Sequence, residues 1–190
     1  MIRGLQLWNY YKIKWDFTMT QHIFLTGKKH IGKSTLIQKI LDDYKKTADG
    51  FLTVRTKDYL KNQYSVHMYH LKEKEFPNES NLLFLCGKTD EHTADTFDRL
   101  GCNILSMCSD CSLIVMDELG PHEADAALFR KKILNLLDGQ TPILGVLQEP
   151  AESFWPEIVN HPKVEIITIS EDNRNDRALL NYIQCKISSP

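Results

Sequence analysis

Gly27-Lys28-Lys29-His30-Ile31-Gly32-Lys33-Ser34 is the stretch around which the rest of the chain is read. It fits G-x-x-x-x-G-K-[ST], the phosphate-binding loop (P-loop) pattern. Its flanks agree with that reading. His22 to Thr26, HIFLT, is a short, apolar, β-prone run that predicts a buried strand. After the loop, Leu36, Ile37, Ile40, Leu41 and Tyr44 recur at helical spacing through a charged sequence. The loop therefore joins a strand to a helix N-terminus, where unpaired N–H groups and the positive end of the helix dipole form an anion site. Gly27 and Gly32 let the backbone curl around phosphate. Lys28, Lys29, His30 and Ile31 complete the curl, and Thr35 follows it into the helix. Lys33 carries charge to the β/γ-phosphates, and Ser34 offers a hydroxyl to Mg²⁺.

A chain of 190 residues, 42% of them hydrophobic, can bury one ordinary core, which predicts a single domain with at most a small appendage. Lys and Arg total 23 against 25 Asp and Glu, so the chain carries no strong nucleic-acid signature. No apolar run is long enough for a membrane span. Cys86, Cys102, Cys108, Cys111 and Cys185 make an odd number without a secretory signal, which predicts reduced thiols in a cytoplasmic setting. Cys108-Ser-Asp-Cys111 is a lone C-x-x-C with no partner pair, read as two ordinary thiols.

Residues 1–21 are read as an N-terminal extension and 22–190 as the domain. Trp8, Tyr10, Tyr11, Trp15 and Phe17 mix with Arg3, Lys12 and Lys14, which interrupts any signal-peptide core. Met19, directly before the first strand, is a candidate natural start; the competing reading is an aromatic, basic arm that packs on a neighbour. Phe51 to Val54, Tyr64 to Leu71 and Leu82 to Cys86 predict three strands, with Lys72 to Ser80 as a hairpin connection open to antiparallel pairing. Thr93 to Cys108 predicts a helix burying Phe97, Leu100, Ile104 and Leu105. Pro142 to Leu147 and Lys163 to Ile169 predict two more strands. Ser170 to Arg174 supplies capping chemistry for a last helix running to about Cys185. Strands alternating with helices give an α/β class: a P-loop three-layer sandwich around a mostly parallel sheet, with an antiparallel hairpin insertion.

Leu113-Ile-Val-Met116 followed by Asp117-Glu118-Leu119-Gly120-Pro121 is the second chemical landmark. An aspartate at the carboxyl end of a buried strand is where a Walker B metal ligand belongs, and the ligand crevice of a parallel sheet lies outside those ends. Pro121 suits the first turn of a helix whose apolar stripe is Phe129, Ile133, Leu136 and Leu137. Arg130 and Lys131 are explained by its polar face. His92, His122 and His161 read as isolated surface residues.

Four stretches together resemble the THEP-type, or cancer-related, nucleoside-triphosphatases. They are the loop at 27–34, Gly50-Phe51-Leu52-Thr53, LIVMDELGPHE from Leu113 to Glu123, and ISEDNRN from Ile169 to Asn175. The resemblance implies a Mg²⁺-dependent hydrolase that converts a nucleoside triphosphate, ATP, GTP or another, to diphosphate and phosphate with loose base selection. Ser34 and Asp117 would hold the metal, Lys33 would act on the phosphates, and Glu118 would orient or deprotonate water. Arg174 is a candidate for contact with the nucleotide, and Glu123 for the helix dipole. Two departures stand out: Lys29-His30 replaces the family's usual Pro-Gly, and Val54-Arg55 replaces an acidic pair. The alternatives are a small-molecule or nucleotide kinase, with Lys72 to Ser80 as its lid, and a nucleotide-binding switch with little turnover.

Overall fold

A computed structural model describes residues 21–73, 76–87 and 92–188. Most of the expected extension, residues 1–20, lies outside the described residues. The chain runs through β1 (His22–Thr26), α1 (Lys33–Asp43), β2 (Ala48–Leu60), β3 (Gln63–His70), β4 (Leu82–Leu85), α2 (Thr93–Met107) and β5 (Leu113–Leu119). It continues through α3 (Pro121–Ala124), α4 (Ala127–Asp138), β6 (Ile143–Leu147), α5 (Ala151–Phe154), α6 (Pro156–Val159), β7 (Val164–Thr168) and α7 (Arg177–Ser188).

The seven strands form one sheet in the order β4-β3-β2-β5-β6-β1-β7. The five from β2 to β7 in this order are parallel, and β3 and β4 extend one edge antiparallel. That edge is the expected hairpin insertion. Central parallel strands must be apolar on both faces because helices cover both sides. β1 and β6 meet this requirement: every residue of each is buried. On one face Leu36, Ile37 and Ile40 of α1 and Ile183 and Ile187 of α7 pack on Ile23, Leu25, Val115 and Val146. On the other, Phe97 and Leu105 of α2 and Phe129, Ile133 and Leu137 of α4 pack on Phe24, Phe51 and Met116.

Several boundaries differ from the sequence reading. β2 continues well past Val54 to Leu60, because antiparallel pairing with β3 satisfies its backbone beyond the parallel sheet. The helix after Pro121 is interrupted at Asp125-Ala126. Ser170 to Arg174 does not cap α7; Asp176 does, its carboxylate accepting from the Ala178 N–H at 2.8 Å. Between β6 and β7 two one-turn helices place Trp155 in the core with no exposed surface. The five cysteines form no disulfide among the described residues, and the Cys111 thiol donates to the Cys108 carbonyl at 3.2 Å.

Candidate active site

Strand order determines what meets at the carboxyl end of the sheet. β6 lies between β1 and β5, so the P-loop after β1, Gln148 after β6 and the acidic pair at the end of β5 open onto one crevice. Gly27 has φ of 132°, and a Cβ there would stand 2.4 Å from the Ile169 carbonyl oxygen. Only glycine lets the loop leave β1 this close to the segment after β7. At the loop tip His30 takes the left-handed conformation, with φ of 64°.

Within the loop, Lys33 is buried, and its ammonium donates to the carbonyls of Gly27 at 2.7 Å and Lys28 at 3.2 Å. The ammonium, expected on the β/γ-phosphates, turns back into a cup of loop carbonyls, which compensates the buried charge. Ile31 belongs to the core beneath α1, while Lys28, Lys29, His30, Ser34 and Thr35 are exposed.

Ser34 Oγ donates to Asp117 Oδ1 at 3.1 Å, across the crevice from α1 to β5. Asp117 is only 4% exposed. Burial pushes its carboxyl up to about 7; the Ser34 hydrogen bond opposes this, the neighbouring Glu118 carboxylate adds to it, and Lys33 opposes it. A buried carboxylate of this kind is stabilised by a cation, and a hydroxyl beside a carboxylate is a hard-oxygen donor set of the type Mg²⁺ accepts. Ser34 and Asp117 therefore fit the implied metal.

Glu118 is held at both ends. Its backbone N–H donates to Thr53 Oγ1 at 3.1 Å, and its Oε2 accepts from Gln148 Nε2 at 3.1 Å. Thr53 reaches that position because β2 pairs in parallel with β5 up to Leu52 opposite Asp117; that pairing needs glycine at position 50, where φ is 129° and a Cβ would meet the Val115 carbonyl oxygen at 2.0 Å. Thus the Gly-Phe-Leu-Thr stretch supports the acidic pair. Trp155 fixes the turn beyond, its Nε1 donating to the Gly120 carbonyl at 3.0 Å. Arg130 lies 4.7 Å over the Trp155 ring and bonds Glu157 and the carbonyls of Ala124 and Phe154, so its role is structural.

A cavity of about 590 Å³ runs from Lys29, His30, Lys33, Ser34 and Thr35 past Glu118 and Gln148 to β2, β3 and β4. The far wall contains Thr53, Arg55, Val66, Phe84 and His122. His122 is exposed, as expected of a surface residue, but it is not isolated: it packs on Phe84 with ring centroids 4.3 Å apart. Glu123 is buried, and its Oε2 accepts from the Gly120 N–H at 2.9 Å; burial raises its pKa to about 7. It closes the turn locally rather than serving the helix dipole from the surface.

Arg174 is not brought to this cavity. It is exposed in a turn held by Asn173, whose side chain accepts from Ser170 N and donates to the Thr168 carbonyl. That turn nonetheless adjoins the loop, since Ile169 N donates to the Thr26 carbonyl at 2.8 Å. Lys72 bonds Asp49 at 2.5 Å, near the start of β2 and away from Thr53 and Arg55, and none of the described residues from 72 to 81 lines the cavity. The expected lid is not a wall of the site.

A P-loop on a mostly parallel sheet, with Ser34 bonded to the aspartate of a separate strand, defines a P-loop nucleotide-binding protein. The model of the family described as NTPase matches residues 22–183. The nucleoside-triphosphatase THEP1 of Thermotoga maritima is 26% identical over 170 residues, covering 85% of this chain and 92% of that protein. The human cancer-related nucleoside-triphosphatase is 28% identical over 191 residues, covering 90% and 99% respectively. The crystal structure of THEP1 from Aquifex aeolicus shares the fold, with a TM-score of 0.70, 20% identity, and coverage of 88% of this chain and 99% of that one. The chain belongs to the THEP-type nucleoside-triphosphatase family.

Proposed function

We propose that this protein is a Mg²⁺-dependent hydrolase of nucleoside triphosphates with loose base selection. The observation that carries the reading is the Ser34–Asp117 hydrogen bond of 3.1 Å, with Glu118 facing the same cavity. In this reading Gly27, Lys28, Lys29, His30, Ile31 and Gly32 wrap the phosphates with backbone N–H groups, Lys33 neutralises the β/γ-oxygens, and Thr35 extends the cradle along α1. Ser34 and Asp117 hold the metal. Bound Mg²⁺ supplies charge neutralisation of the phosphate oxygens and template geometry.

Glu118 accepts a proton from, or orients, a water in line with the γ-phosphate. Gln148 and Thr53 fix where that carboxylate points, which is the positioning such a reaction demands. Arg174 is assigned to the nucleoside end, because its turn abuts Gly27 on the side of β1 away from Glu118. Loose base selection is supported by the exposure of that turn. A cytoplasmic setting is supported by five cysteines that form no disulfide among the described residues. No described helix is long and apolar enough to cross a membrane.

The test is a panel of ATP, GTP, CTP and UTP assayed for phosphate release with Mg²⁺ and with a chelator. Release from several of the four that the chelator abolishes is expected. Metal-independent release, or release from one base alone, contradicts the reading.

A further inference from the structure

The cavity extends beyond what the proposed hydrolysis uses. Lysine, serine and Glu118 occupy one end; the other end is a floor built across three strands. Arg55 of β2 pairs in register with Val66 of β3, and Val66 with Phe84 of β4. Cross-strand partners project to the same face, so these three side chains form one row, and all three line the cavity. Tyr64 holds the Arg55 guanidinium 3.7 Å above its ring. That stacking uses none of its N–H donors, and the Arg55 side chain makes no hydrogen bond to a described residue. A guanidinium held on a ring, facing a cavity and with its donors bonded to none of the described residues, suits bidentate capture of a phosphate or carboxylate. Beside it, His122 and Phe84 present a paired aromatic surface, with Val66 and Leu85 as apolar neighbours.

We propose that this end of the cavity is a second small-molecule site, taking an anionic compound with a planar ring, of the nucleoside monophosphate class, beside the γ-phosphate position. The ring would lie on Phe84 and His122, and the anion would meet Arg55. The volume of about 590 Å³ is within the range of pockets that enclose drug-sized ligands, whereas a triphosphate tail needs only the P-loop end. The site rests on the reading that places the triphosphate on Lys33 and Ser34, and it makes the bound second molecule, rather than bulk water alone, the neighbour of Glu118.

The experiment is calorimetric titration of AMP, GMP, CMP and UMP into the full chain saturated with Mg–ADP, so that the P-loop is already filled. At least one should bind with unit stoichiometry. The matching nucleoside, which lacks the anion, and ribose 5-phosphate, which lacks the ring, should each bind about tenfold more weakly or worse. Arg55→Gln and Phe84→Ala should each weaken monophosphate binding by about tenfold while leaving Mg–ADP affinity unchanged. Arg55 is exposed, so its variant tests the site without disturbing the core. Failure of Mg–ADP itself to bind would strike the P-loop reading. Normal Mg–ADP binding with no monophosphate binding below about 1 mM, or with equal affinity for ribose 5-phosphate, would overturn the second site. Undiminished binding in both variants would overturn it as well.

Discussion

Lowering the pH should unfold this protein partly through His22, the first residue of the strand that carries the P-loop. His22 has no exposed surface, and one ring nitrogen, Nε2, lies 2.9 Å from the Leu137 carbonyl. A carbonyl only accepts, so Nε2 carries the proton. Nδ1 is then a buried acceptor, and it has no hydrogen-bond partner. A second proton would place a charge in the core, close to His161 and Lys163. Burial is the main reason the pKa falls from 6.5 to about 4; the Leu137 hydrogen bond opposes the fall, and His161 and Lys163 add to it.

The sign follows from linkage. A pKa depressed on folding means that the unfolded chain binds the proton more tightly, so stability is present above pH 6.5 and is lost as pH falls toward 4. Taking these two values, the loss between about pH 7.5 and about pH 5 is about 2 kcal/mol, out of about 3 kcal/mol at the acid limit. Urea unfolding at both pH values, on wild type and on His22→Gln, isolates the contribution, because glutamine can still donate to the Leu137 carbonyl but does not titrate. The pH-dependent loss in wild type should exceed that in His22→Gln by about 2 kcal/mol. Equal losses in the two proteins would refute the assignment of a neutral, buried His22.

Three further outcomes follow from the site. Lys33→Ala should lower affinity for a fluorescent triphosphate analogue by about ten- to a hundredfold, because charge-assisted contacts to phosphate are lost. Gly50→Ala should destabilise the protein by about 3 kcal/mol or more in urea unfolding, since its Cβ would meet the Val115 carbonyl oxygen at 2.0 Å in a left-handed backbone. Gln148→Leu removes the donor to Glu118 Oε2 and should reduce the rate constant for phosphate release by about tenfold while leaving Mg–ADP binding intact.

How much of this was legible depended on whether the signal was local. The strand–loop–helix at 22–44 and the apolar run before Asp117 announce themselves because burial on both faces and a phosphate-cradling loop each leave a contiguous pattern. The strand order, which puts β6 between β1 and β5 and so brings Gln148 to Glu118, leaves no such pattern. Thr53 illustrates the limit: its stretch was visible as a landmark, but its bond to the Glu118 N–H depends on the register that sets Leu52 of β2 opposite Asp117 of β5. His122 looked isolated because its partner, Phe84, is distant in sequence and enters through the antiparallel edge. Trp155 and the one-turn helices around it were missed because four-residue helices carry no readable periodicity. Lys72–Ser80 is the antiparallel connection its turn-rich sequence predicts, but its reading as a lid failed because charge alone does not say which end of a strand a loop faces.

Glu118→Gln tests the mechanism most directly. Single-turnover phosphate release from Mg–ATP, paired with calorimetric binding of Mg–ATP, should be measured on wild type and variant. Glutamine keeps the shape and the neighbours Thr53 and Gln148, while Lys33, Ser34 and Asp117 remain in place. Binding should persist, and the single-turnover rate should fall by about 10²–10⁴-fold, the range for loss of a general acid–base residue. A Glu118→Gln protein that releases phosphate at the wild-type rate would contradict the assignment of this carboxylate to the attacking water.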